Sequence, residues 1–214
     1  MNTPATAEGC PGWFGKIPSL GDFASRRLPP AFVKPWDQWL SAELPEARFV
    51  LADAWPAIYQ QAPISCFSLG LGTLDDQAWH GILVPSFDRV GRQFPLTIAL
   101  GRPRHTPATV ARRWWAALVA SARRALEPAC GADGVDQALS VFIAESASST
   151  EAAATADSAL AAEPVPDMEP APAILEEGMS MWWAWSAVDP PDPGLTIVRG
   201  LPRGACFRKL LGAG

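Results

Sequence analysis

Three short apolar runs lie close together in the middle of the chain, and each is bounded by glycine or proline. They extend over Ile64 to Leu69, Trp79 to Val84 and Leu96 to Leu100. Runs of this length with turn residues at their ends are typical of buried β-strands. We therefore predict that the three runs pair in one sheet.

Two more strand-like regions occur near the ends of the chain. Trp13 to Ile17 forms a short apolar segment before a turn that contains proline and glycine. In the segment Ser180 to Ser186, Trp183 and Trp185 alternate with smaller neighbours, as the two faces of a strand require. We expect Leu195 to Val198 to be the partner of this second strand.

A stripe of large apolar side chains predicts an amphipathic helix before the central strands. Its members recur mainly at spacings of three and four residues and are Phe32, Trp36, Trp39, Leu40 and Leu44. Proline is tolerated in the first turn of a helix, but in the interior it removes a hydrogen bond. We therefore expect this helix to begin at Pro35.

Further helices are predicted at 52–61, from Thr106 and Pro107 to about Leu126, at 135–145 and at 201–211. Thr106 supplies an N-cap side chain, and Pro107 suits the first helical position. Because helices and short apolar strands are mixed along one chain, the predicted fold class is an α/β layered sandwich.

The chain of 214 residues can fill a sizeable core, because 49% of its residues are hydrophobic. No stretch approaches the roughly 18 uninterrupted apolar residues that a membrane span needs, and the N-terminus lacks the basic start and apolar run of a signal peptide. We therefore predict a cytoplasmic protein with no membrane insertion. Residues 1–11 are expected to be a flexible N-terminus.

Charge is distributed unevenly along the chain. The formal net charge is −5, but residues 125–198 contain 13 acidic residues and no lysine or arginine. Within this stretch, residues 146–172 are rich in alanine, serine, glutamate and proline and have little to bury, so we predict a mobile insertion there. A nucleic-acid-binding protein would instead concentrate basic residues on one face. Nucleic acid is therefore not expected as a partner.

Residues suited to catalysis are few. The four cysteines lie at least 56 residues apart, which excludes a closely spaced zinc motif and favours buried thiols. The two histidines, His80 and His105, are interpreted as structural or surface residues. The chain contains no phosphate-binding loop, complete dinucleotide fingerprint or nucleophile elbow. We predict no cofactor.

One element keeps a catalytic alternative open. GADGVD at 131–136 resembles the Asp-Gly element of metal-dependent Ser/Thr phosphatases, in which carboxylates hold divalent ions. In that alternative, Asp133 and Asp136 would bind a metal in a small phosphatase or hydrolase. A solvated turn is the simpler interpretation, because such sites draw aspartates from several strands and no second Asp-Gly element is present.

Two turns concentrate polar residues that could contact a partner. The first contains Asp22, Ser25, Arg26 and Arg27, and the second contains Ser86, Asp88, Arg89 and Arg92. Arginine side chains bind carboxylates and phosphates through paired N–H groups, so the second turn could also sense a small phosphate-bearing ligand. The alternative is that Asp22 or Asp88 pairs with these arginines and only fixes the turns. The candidate partner-binding residues are Asp22, Ser25, Asp88, Arg89 and Arg92.

The order of four sequence blocks resembles the TagF/ImpM family of accessory proteins of bacterial type VI secretion systems. The resemblance runs from about Gly12 to Leu211 and is carried by GWFGKIPSLGDFASRRLPPAFVKPWDQWL, PSFDRVGRQFPLTIA, GMSMWWAW and GLPRGACFRKLL. It implies a single compact three-layer α/β domain over 12–214, interrupted by the acidic insertion.

The resemblance also implies a function. Members of this family are regarded as cytoplasmic proteins without catalytic activity that restrain assembly of the secretion machine after translation. They are thought to act with the threonine-phosphorylation branch through a forkhead-associated scaffold protein, which we therefore expect as the partner. The family motif does not include a defined set of catalytic residues, so no catalytic residues are assigned.

Overall fold

The computed structural model describes residues 9–102, 112–140, 175–185 and 194–213. The helices are α1 (Pro30–Leu51), α2 (Trp55–Gln61), α3 (Arg112–Ala125), α4 (132–140) and α5 (Ala205–Leu210), and one 3-10 turn, Ala52–Ala54, links α1 to α2. The strands are β1 (Gly12–Gly15), β2 (Ala24–Arg26), β3 (Ser65–Leu69), β4 (Ala78–Val84), β5 (Leu96–Arg102), β6 (Met179–Ala184) and β7 (Thr196–Arg199).

All seven strands belong to one antiparallel sheet in the order β2-β1-β5-β4-β3-β6-β7. The three central apolar runs form β3, β4 and β5, which are neighbours, so their predicted pairing is confirmed. The predicted pairing of the two C-terminal strands is also confirmed, because β6 is hydrogen-bonded to β7.

Helices cover both faces of the sheet. Successive side chains of each strand point to opposite sides, so each face of the sheet contributes to a core of its own. Phe67 and Leu83 belong to the core that packs against α1, α2 and α5. Their chain neighbours Cys66 and Ile82 belong to the core that packs against α3 and α4. The predicted α/β sandwich of three layers is confirmed.

Tryptophan fills much of the core. Trp36 and Trp39 of α1 lie in one aromatic cluster with Phe67 and Trp182, with ring centroids 4.8 to 6.0 Å apart. The indole of Trp36 donates a hydrogen bond to Thr97 Oγ1 at 2.8 Å. This cluster joins α1 to the middle of the sheet, and the bond to Thr97 satisfies the polar atom of the buried Trp36 indole.

The predicted start of the first helix is wrong. The stripe of large side chains is buried as expected, but α1 begins at Pro30 and continues through Pro35 and Pro45. Pro30 occupies a first-turn position, where its missing N–H has no cost. Starting there places Phe32, which is fully buried, on the helical face that packs against Trp36 and Trp79. Burial of that ring offsets much of the cost of an interior proline.

Other predicted bounds lie partly outside the described residues. The predicted helix over 135–145 corresponds to α4 for its first six positions. The expected start of α3 at Thr106, the N-terminal residues 1–8 and the insertion 146–172 all lie outside the described residues. Among the described residues, no helix is long and apolar enough to cross a membrane.

Candidate functional site

The two polar turns lie side by side at one end of the sheet. The first loop (16–23) connects β1 to β2, and the second loop (85–95) connects β4 to β5. Because β1 and β5 are antiparallel neighbours, the end of β1 meets the start of β5 and the two loops adjoin. The Arg89 backbone N–H donates to Leu20 O at 2.8 Å, and Arg92 Nη2 donates to Gly21 O at 2.6 Å.

Asp88 is the structural centre of the second loop. Its side chain is fully buried, and Oδ2 accepts hydrogen bonds from Lys16 Nζ at 2.9 Å and Arg92 Nε at 2.7 Å. Oδ1 accepts from the backbone N–H groups of Val90 at 3.1 Å and Arg92 at 2.9 Å. The structure therefore shows Asp88 pairing with an arginine to fix the turn, and its carboxylate has no exposed surface to offer a partner.

Lys16 is the part of this arrangement that sequence reasoning missed. It follows β1 directly, is 6% exposed, and its ammonium lies 5.0 Å from the centre of the Phe23 ring as well as against Asp88. Its carbonyl oxygen accepts a hydrogen bond from Ser86 Oγ at 2.7 Å. A lysine flanked by apolar residues and glycine, in GKIP, is a signal for such a buried cation, but its partner lies 72 residues away.

Gly15 allows this close approach of the two loops. Its φ angle is +135°, and a Cβ atom there would lie 2.2 Å from Pro95 O. No side chain fits that space without moving the start of β5. The glycine thus sets the position of Lys16 beneath the second loop.

The other candidate residues are exposed. Asp22 Oδ1 accepts a hydrogen bond from the Phe23 N–H at 2.8 Å, and Ser25 lies on the edge strand β2 opposite Phe14. The Arg89 guanidinium lies beside Gly21 and makes no ion pair with any described residue. The structure therefore brings Asp22, Arg89 and Arg92 together at the adjoining loops, with Ser25 on the next strand.

Large apolar side chains share this exposed region. Phe23 is 46% exposed, Phe87 is 50% exposed and Val90 is 68% exposed. We call the exposed parts of the two loops the two-loop surface; its members are Asp22, Phe23, Phe87, Arg89, Val90 and Arg92. Sequence reasoning singled out its charged residues and missed its apolar ones.

The pH dependence of stability follows from Asp88. Burial opposes its ionisation, but hydrogen bonds from Lys16, Arg92 and Val90 outweigh this and hold the pKa of Asp88 well below its usual range. A lowered carboxyl pKa stabilises the fold above the unfolded-state pKa of about 3.9, and this stabilisation is lost as the pH falls below that value.

We therefore expect the free energy of unfolding, measured with urea, to decrease as the pH is lowered past about 4. Asp88→Asn should remove part of this decrease. Asp22→Asn, at an exposed carboxylate in the neighbouring loop, is the control for the loss of one negative charge in this region. Identical profiles for the wild type and Asp88→Asn would contradict the role assigned to this carboxylate.

The GADGVD element forms the start of α4 rather than a solvated turn, so that simpler interpretation is wrong about the local structure. Asp136 Oδ1 lies 2.8 Å from Arg27 Nη2 and accepts a hydrogen bond from Trp13 Nε1 at 2.8 Å. Asp133 lies 3.4 Å from Arg26. These acids fasten α4 to β1 and β2, and no group of three or more possible metal-binding side chains occurs within the described ranges.

A buried serine–histidine pair also lies beneath α3. Ser68 Oγ and His80 Nδ1 are 2.9 Å apart on the paired strands β3 and β4, and the His80 ring meets the edge of Trp115. Ser68 is 6% exposed and His80 is 7% exposed. The pair is therefore enclosed, which agrees with a structural role for His80; His105 lies outside the described residues.

The predicted buried thiols are confirmed at three positions and wrong at one. Cys10, Cys66 and Cys130 are buried, whereas Cys206 on α5 is exposed. Burial raises the pKa of the Cys66 thiol, which keeps it protonated and unreactive.

The sequence and the fold of the chain are both similar to those of known proteins. Residues 12–142 match the TagF N-terminal domain, type VI secretion system-associated. The fold is similar to the crystal structure of PA0076 from Pseudomonas aeruginosa PAO1 at 2.05 Å resolution, with a TM-score of 0.70 and 29% identity over 95% of each chain. No curated protein matches the sequence. The family match includes both loops of the two-loop surface.

Proposed function

The chain belongs to the TagF family of type VI secretion system-associated proteins, and we propose that within such a system it is a non-enzymatic, cytoplasmic regulator. It restrains assembly of the secretion machine after translation by binding a forkhead-associated scaffold protein. The resemblance drawn from the four sequence blocks is confirmed at the level of the family. The regulatory role and the scaffold partner belong to the proposal.

The observation that carries the proposal is the two-loop surface. Asp22, Arg89 and Arg92 are exposed there, with Ser25 exposed on the adjoining strand β2. The carboxyl groups that could have suggested catalysis, Asp133 and Asp136, pair with neighbouring arginines. Asp88 contributes by holding the loop in shape. A folded body that displays polar groups on a fixed surface suits recognition of a protein better than bond-making chemistry.

Loss of the protein tests the regulatory role. Deletion of its gene is expected to raise secretion without a rise in threonine phosphorylation of the scaffold, because the restraint acts on assembly rather than on the kinase. The measurement is the amount of secreted machine component in the culture medium, together with a phosphothreonine blot. Unchanged secretion, or restoration of wild-type secretion by an unrelated folded protein, would count against the proposal.

Arg89→Ala tests the surface. We expect it to reduce capture of the purified scaffold about tenfold, because an arginine at the centre of a protein interface commonly contributes more than 1 kcal/mol. Arg203→Ala is the matched control, because Arg203 is also exposed but precedes α5, which packs against α1 and β6, and β6 is separated from β5 in the sheet by β3 and β4. Equal capture by the two variants, both folded, would show that the scaffold binds elsewhere.

A further inference from the structure

We propose that the two-loop surface binds an acidic segment of a partner protein that carries aromatic or aliphatic side chains. Phe23, Phe87 and Val90 contact the apolar side chains of the segment, and Arg89 receives a carboxylate from it. The inference rests on the proposed function, since it names the chemistry of the partner at the same surface.

The apolar part of the surface is concentrated. Seven large hydrophobic side chains are exposed in the part of the chain that the structure describes, and three of them lie on these adjoining loops. The other four are Phe49 and Val50 near the end of α1, and Leu195 and Ile197 at the edge strand β7. Clusters of exposed apolar side chains with a polar rim mark interaction surfaces.

Phe23 connects this surface to the core. Its ring stacks on Phe14 with centroids 5.9 Å apart and meets Phe94 edge to face at 4.7 Å. Lys16 lies on the ring as well. One part of the ring is thus fixed by the core while 46% of the residue stays open to a partner, as an anchor residue of an interface requires.

The charge of the surface favours an acidic partner. Asp88 is shared by Lys16 and Arg92, so this group keeps one net positive charge. Arg89 adds a second positive charge, and Asp22 is the exposed acid beside it. Positive charge therefore remains in excess. The Arg89 guanidinium, which pairs with no acid in the described part of the chain, can bind a carboxylate through two parallel N–H groups.

The surface is held in place before any partner arrives. Four hydrogen bonds to Asp88 fix the second loop, and the Arg89 N–H and Arg92 side chain attach it to the backbone of the first. Binding to a preformed loop avoids much of the entropy cost of ordering it.

The test uses the full chain and the purified forkhead-associated scaffold of the same bacterium, with affinity measured by calorimetry. Phe87→Ser combined with Val90→Ser should raise Kd about tenfold or more, and Arg89→Glu should weaken binding further because it repels an acidic segment. Phe49→Ser is the matched control, since Phe49 is 85% exposed on α1. Thermal unfolding of each variant should match that of the wild type.

Ionic strength supplies a second measurement. Raising it from about 0.01 M to about 0.15 M shortens the Debye length from about 30 Å to about 8 Å, so association of the wild type should slow. Arg89→Ala should show a smaller salt effect. Wild-type affinity in the serine double variant, or an equal salt effect in Arg89→Ala, would overturn the inference.

A photo-crosslinking residue at position 87, with position 49 as the control, separates failure of this inference from failure of the proposed function. If the wild type does not bind the scaffold, the scaffold part of the proposed function fails. Crosslinking in cells to an acidic, apolar segment of another secretion component through position 87 alone would still support the inference. Crosslinking to a basic segment, to a second copy of the chain or to nothing would overturn it, as would binding that phosphatase treatment of the partner abolishes.

Discussion

Asp88→Ala is expected to destabilise the fold by about 3 to 5 kcal/mol, because it leaves the Lys16 ammonium buried without its carboxylate. It also removes the acceptor of two backbone N–H groups in the second loop. The measurement is urea unfolding near neutral pH, where Asp88 is ionised in the wild type.

Asp22→Ala is the control for this experiment. It also removes one aspartate from the two adjoining loops, but Asp22 is exposed and accepts a hydrogen bond from the next residue. Its effect should stay within about 0.5 kcal/mol. If the two variants unfolded at the same urea concentration, the Lys16 and Asp88 pair would not be the support of the loop that the geometry indicates.

Trp36→Ala is expected to lower the free energy of unfolding by about 3 to 5 kcal/mol, since deletion of a buried aromatic ring opens a cavity that the surrounding side chains only partly fill. Trp36 is fully buried among Phe32, Trp39, Phe67 and Trp182. The change also removes the indole donor to Thr97 Oγ1.

Phe49→Ala provides a matched comparison on the same helix, because it removes a large ring that is 85% exposed. We expect little change in its unfolding midpoint. Thermal unfolding followed by circular dichroism measures both variants. A midpoint for Trp36→Ala close to that of Phe49→Ala would contradict the assignment of Trp36 to the core.

The central strands were predictable because their signal is local. Ile64 to Leu69 and its two neighbours combine apolar side chains with turn residues at their ends, and these features suffice to define a buried strand. The start of α1 was not predictable by the same kind of rule. Pro35 disfavours a helix locally, and only the packing of Phe32 against Trp79, 47 residues later, reverses that preference.

In the candidate site, too, some features can be predicted from neighbouring residues, and others depend on residues that are far apart in the sequence. The polar residues of the two loops can be identified from the sequence, because arginines and aspartates cluster within each turn. The pairing of Lys16 with Asp88 spans 72 residues and depends on β1 lying beside β5. Asp133 and Asp136 lie on α4, and their pairing with Arg26 and Arg27 likewise depends on α4 lying beside β2 in the fold.

The pairing of β1 with β5 has a consequence during synthesis of the protein. Phe14 is aligned with Thr97, so the N-terminal hairpin has no place in the sheet until the ribosome has released about the first hundred residues. A nascent or truncated chain that stops before this point lacks the neighbour against which its first loop is arranged. The recognition that we propose for these loops therefore requires a molecule in which β1 has already paired with β5.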